Sequence, residues 1–158
     1  MSIYEEDPEL SRLLAYFDEL VNERPTFDSF MNLTDESPSL DKAVIKFENR
    51  DDFVGNAVYR TLHGGFISAV LDNAGGAAVF LSSYKQLKGQ PFETQIKKLS
   101  KNATIDLRVD YLRPGVGKEF TAEGWILRKG NKVAVTRMEL RNDEGALIAV
   151  GTGTYSVG

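Results

Sequence analysis

The chain has no cysteine and one histidine, His63. The first absence excludes disulfides, thiolate metal centres and cysteine nucleophiles. The second leaves too few imidazoles for a histidine-based metal site, so no metal is expected. An excess of basic charge is also missing. Lys and Arg number 19 against 23 Asp and Glu, for a net charge of −4. Nothing there suits a phosphate backbone, and no nucleic-acid partner is expected. The opening residues, "MSIYEEDPEL", are acidic where an export signal is basic and then apolar. Apolar runs read as too short and too interrupted for a membrane span. These absences together lead us to expect a cytoplasmic protein with no membrane partner.

What is present fits one domain of ordinary size. Over 158 residues, 42% are hydrophobic and 27% charged, enough to bury a sizeable core without staples. Asp7 followed by Pro8 is a helix start, and Leu10, Leu13, Leu14, Phe17 and Val21 recur at helical spacing until Pro25. "TFDSFMNL" reads as a short second helix, and residues 43–48, "AVIKFE", as a first strand. Residues 61–81 read as one apolar helix. Residues 82–101 are polar and carry Gly89 and Pro91, so a surface connection is predicted there. The period then changes to two. Ala103, Ile105, Leu107, Val109 and Tyr111 alternate with Thr104, Asp106, Arg108 and Asp110, which predicts a half-buried strand with the first set inward. Three further strands are predicted near 118–129, 132–142 and 146–156, joined by the hairpin signals "KGNK" and "NDEG". The fold class is α+β, with the apolar helix laid across an antiparallel sheet.

That helix carries one acid, Asp72. Gly65, Ser68, Asp72, Gly75 or Gly76, and Val79 lie three or four apart, forming one stripe. Small residues there let a backbone or a narrow ligand approach. A carboxylate in such a gap is costly unless hydrogen-bonded or partly wet, and such environments make general bases. His63, Gly64 and Gly65 mark the helix start, where unpaired N–H groups at the positive end of the dipole can hold an oxyanion. A tight turn around a packed imidazole is the plainer reading of the same three residues. Gly64 and Asp72 are eight residues apart, roughly 12 Å of helical rise. One carbonyl cannot reach both, so if both act, two copies of the chain must supply them. A Ser-His-Asp hydrolase is disfavoured, because no G-x-S-x-G is present.

"HGGFISAVLD", with its acid nine residues after the histidine, followed by a strand ending "VDYLRPG" and by "GTGTY" near the C-terminus, resembles the PaaI-like branch of the hotdog-fold acyl-CoA thioesterases. The resemblance covers about residues 43–156. It implies a helical extension over 1–42 and a hotdog domain over 43–158, a five- or six-stranded sheet wrapped round the central helix, and a homodimer or homotetramer. Asp72 is then general base or nucleophile, and the Gly64 N–H of the other subunit polarises the thioester carbonyl. Thr104, ten residues before Pro114, holds the water, and His63 shapes the turn. Gly65, Asn56 and Arg113 become candidates for contacting substrate. The family's asparagine falls at Ala57 here, six before the histidine, with Asn56 one earlier. Lys97, Lys98 and Lys101 are further candidates for the phosphates of an acyl-CoA substrate. No cofactor follows from this scheme. The competing reading is a non-catalytic acyl-CoA-binding or regulatory protein on the same fold.

Overall fold

The computed structural model describes residues 2–157. A single turn, α1 (Ile3–Glu6), precedes the first long helix, α2 (Pro8–Asn22), and α3 (Phe27–Met31) follows it. Asp7 caps α2 as its sequence signal predicts, accepting the Leu10 N–H at 3.2 Å. The same carboxylate accepts from the Tyr84 hydroxyl at 2.9 Å and the Lys88 ammonium at 2.6 Å. Burial alone would push its pKa up. The bonds from Lys88, the Leu10 N–H and Tyr84 outweigh that and hold it below the usual carboxylate range. One side chain thus caps α2 and ties it to the central helix. Leu10 and Leu13 are fully buried in the cluster that includes Ala78, Leu81 and Tyr84.

The central helix, α4, spans Gly64–Leu87. It begins three residues later than predicted, because Thr61–Leu62 form a short strand, β4, paired with β3 (Val54–Asn56). It also runs six residues past the predicted end. The predicted surface connection over 82–101 is therefore corrected: α4 fills its beginning, and α5 (Phe92–Leu99) fills much of the rest. Polar composition masked a continuing helical period, in which Tyr84, Leu87 and Leu99 are buried. At 24 residues α4 is also long enough to cross a membrane, contrary to the sequence reading. It serves instead as the core helix, packed against the sheet.

Six strands form one antiparallel sheet: β1 (Thr34–Asp35), β2 (Ala43–Glu48), β5 (Ala103–Tyr111), β6 (Glu119–Lys129), β7 (Val133–Asn142) and β8 (Leu147–Ser156). Their spatial order is β1-β2-β6-β7-β8-β5. The β6–β7–β8 meander turns at the two predicted hairpins, the second with Gly145 at φ +79°. The first 42 residues thus supply an edge strand as well as helices. Helix α4 lies across β2, β6, β7 and β8. The backbones come close at Gly124, where a Cβ would sit 2.4 Å from the Ala74 carbonyl oxygen.

Strand β5 is the other edge, paired only with β8 among the described residues. Its register shifts between Thr104 and Asp106, a bulge. Alternation predicted Ile105 inward and Thr104 outward. The bulge reverses both at that point: Ile105 is 57% exposed, and Thr104 turns toward α4. Beyond it the predicted parity returns, and Leu107 and Val109 pack on the core.

Candidate active site

Asp72 sits half-buried near the middle of α4, on the face toward β5 and β8. The Thr104 hydroxyl lies 3.0 and 3.2 Å from its two carboxylate oxygens. The Tyr155 hydroxyl lies 3.0 Å from Oδ1 and 3.0 Å from the Asp72 carbonyl oxygen. Tyr155 is 2% exposed. Its burial, and then the adjacent Asp72 charge, push its pKa well above the ordinary tyrosine value, so it remains a proton donor to the carboxylate. Asp72 is thereby oriented by two hydroxyls and open on its remaining side to a cavity of about 520 Å³.

The resemblance gave Thr104 the role of holding the water, and the sequence reading did not name Tyr155, although "GTGTY" ends on it. The sign lay in the glycines. A Cβ at Gly75 would meet the Tyr155 hydroxyl oxygen at 2.3 Å, and one at Gly153 would meet the same ring at 2.6 Å. The small residue at 75 makes room for a tyrosine, not for a ligand. Gly76, whose Cβ would have no neighbour nearer than 4.0 Å, does line the cavity.

The other predicted elements gather at the start of α4. His63 is its N-cap, and its Nδ1 accepts the Gly65 N–H at 2.9 Å. That occupies Gly65 and leaves the Gly64 N–H without an acceptor among the described residues. The Tyr111 hydroxyl donates to the Gly64 carbonyl oxygen at 2.8 Å and also bonds Ser68, clamping the turn. Asn56 is close in the fold, since β3 and β4 bring Gly55 against His63. Its Oδ1, however, accepts the Val58 and Tyr59 N–H groups at 3.0 and 3.2 Å and shapes that loop. Arg113 donates to the Leu147 carbonyl at 3.0 Å beside a groove that Gly64 and Tyr111 also line.

Within one chain the two groups of residues stay apart. Asp72, Thr104 and Tyr155 line one cavity, and Gly64, Tyr111 and Arg113 line another. The rod of α4 holds them roughly 12 Å apart along its axis. Lys97, Lys98 and Lys101 are all exposed, and none lines the Asp72 cavity. Among the described residues no cluster of three potential metal ligands occurs.

This arrangement can be set beside known proteins. The family described as the Thioesterase superfamily matches residues 59–149, a span that holds the His63 turn, Asp72 and Thr104. The chain belongs to that superfamily. A similar protein is the medium/long-chain acyl-CoA thioesterase YigI of Escherichia coli, 47% identical over 116 residues, covering 73% of this chain and 75% of that one. Among solved structures, a thioesterase-superfamily protein from Shewanella oneidensis superposes with a TM-score of 0.84 at 36% identity. The match covers 95% of this chain and 97% of that one. One from Syntrophus aciditrophicus gives 0.80 at 37% identity, covering 96% and 100%. For a thioesterase of this superfamily, the hotdog arrangement of sheet and central helix is the fold the sequence resemblance implied.

Proposed function

We propose that this superfamily member hydrolyses acyl-CoA thioesters at a centre completed by two copies of the chain. The observation that carries the reading is the pairing of Asp72 with two hydroxyls in one cavity, while an unpaired helix-start N–H stands on the same helix beyond reach. In the proposed step the Asp72 carboxylate takes a proton from a water held beside Thr104. The oxygen bonds to the thioester carbonyl carbon, and the carbonyl oxygen takes the negative charge. The N–H of Gly64 of the partner subunit meets that oxygen at the positive end of its helix. Collapse breaks the carbon–sulfur bond, releasing the CoA thiolate, which the proton held by Asp72 converts to thiol. Thiolates leave readily, so no separate strong acid is needed. Direct attack by Asp72, through a mixed anhydride that water then opens, uses the same residues and ends on the same products. No cofactor enters either route.

The activity of the similar E. coli protein supports the acyl-CoA substrate. The test is a panel of acyl-CoAs of increasing chain length, with release of free thiol followed. Turnover on at least part of the panel is expected. Binding without turnover across it would instead favour a non-catalytic acyl-CoA-binding role and overturn the reading.

Tyr155 acts in this scheme as a positioning residue, through its hydroxyl bond to Asp72. A hydrogen bond to a charged group is worth about 1.5–3 kcal/mol, so Tyr155→Phe is expected to lower kcat roughly 10-fold or more. KM should stay near the wild-type value, since the acyl and CoA contacts are untouched. A rise in KM with kcat retained would reassign Tyr155 to substrate binding.

A further inference from the structure

The cavity that holds Asp72 continues away from it between α2, α4 and the α5–β5 junction. At the acid end its wall is polar. Along α4 the wall then becomes Gly76, Ala77 and Phe80, and α2 faces these with Leu14 and Phe17. The Phe17 ring meets Phe80 edge to face at 5.8 Å between centroids. Tyr4 of α1 also borders the space, fixed by a 2.6 Å bond from its hydroxyl to Asp35. No lysine or arginine lines the cavity, but three aspartates do: Asp28, Asp35 and Asp72. A space so charged repels phosphates and cannot take the nucleotide end of CoA. An uncharged hydrocarbon is not repelled, and Asp35 and Asp28 already accept hydrogen bonds from Tyr4 and Asn73. At about 520 Å³ the cavity is within the range of small-molecule sites, roughly 300–1,000 Å³.

We infer that this cavity receives the acyl chain of the thioester, and that α2, through Phe17 and Leu14, sets how long a chain is accepted. The inference rests on the thioesterase reading above and extends it to residues outside the family-matched span of 59–149. With the carbonyl carbon beside Asp72, the chain runs along the α4 face past Gly76 and Ala77. It ends against the Phe17–Phe80 pair. Helix α2 is tied to the end of α4 at its N-cap by Asp7, through its bonds to Tyr84 and Lys88, so its cavity face is a fixed wall. Length selection then belongs to the N-terminal extension, and the reacting groups belong to the shared core.

Two variants with opposite expected effects test this. Phe17→Ala lengthens the cavity, and Leu14→Phe fills part of it. Profiles of kcat/KM against acyl length, from butanoyl- to hexadecanoyl-CoA, are measured for both and for the wild type. Each methylene gained or lost at an apolar wall changes kcat/KM roughly fourfold, from about 0.8 kcal/mol per buried methylene. The optimum is expected to move to longer chains in Phe17→Ala and to shorter ones in Leu14→Phe. If Phe17→Ala does not fold, Leu14→Phe alone decides the direction. Active variants that both keep the wild-type ranking overturn the inference and leave the thioesterase reading intact. A wild type that hydrolyses no acyl-CoA removes both. Variants that change native mass while keeping the ranking assign the groove to a second copy of the chain and also overturn it.

Discussion

Asp72→Asn is expected to lower acyl-CoA turnover at least ~100-fold, the scale on which general bases operate. Asparagine has nearly the same shape as aspartate. Its amide oxygen can still accept from Thr104 or Tyr155, which lie 3.0 Å from Oδ1 in the native chain. What it cannot do at neutral pH is take a proton from water or attack a carbonyl. The position is half-buried and outside the apolar clusters, so folding and assembly should survive. The checks are the rate at saturating substrate and native mass spectrometry of the same sample. A near-native rate with native mass intact would exclude Asp72 from either chemical role.

The second large effect concerns Gly64, and its informative form is a mixture. Gly64→Pro deletes one N–H at the first helical position, where proline fits the helix and no internal bond is lost. His63 before it has φ −64° and ψ 132°, the extended backbone that a residue preceding proline prefers. The added Cβ would meet the Tyr111 ring at 3.4 Å, an ordinary contact. The variant should therefore fold, with turnover reduced by about 100-fold or more, as for loss of an oxyanion donor. Asp72→Asn alone is expected to be similarly slow. When the two are unfolded and refolded together in equal amounts, half the dimers pair one of each. Every such pair holds one intact centre, Asp72 from one copy with Gly64 from the other, and one doubly damaged centre. About a quarter of wild-type activity should return. If a single chain supplied both groups, mixing would restore nothing, and the shared-centre proposal would fail.

Much of the fold was legible because its signals are local. Asp7-Pro8, the apolar period of α4, and the turns ending β6 and β7 each act over a few residues, and each element formed around its signal, with α4 shifted at both ends. The stretch over 82–101 was misread because composition outweighed period. Lys85 and Gln86 there occupy the outer face of a helix whose inner face, Ser83, Tyr84 and Leu87, continues the core. Among the large apolar residues of α4, Phe80 lines the cavity. Phe66, Val70 and Tyr84 are packed in the core clusters.

The order of residues alone determined that His63, Gly64 and Asp72 ride on one rigid helix, and hence their separation, because helical rise per residue is nearly constant. Tertiary structure decided which hydroxyls meet the acid. A one-residue bulge in β5 turned Thr104 inward against its alternation, and Gly75 on α4 opened the space for Tyr155. It also brought Phe17 of α2 opposite Phe80 of α4 to close the cavity. These contacts join residues dozens of positions apart. They depend on strand register and on the packing of whole elements, which no short-range pattern encodes.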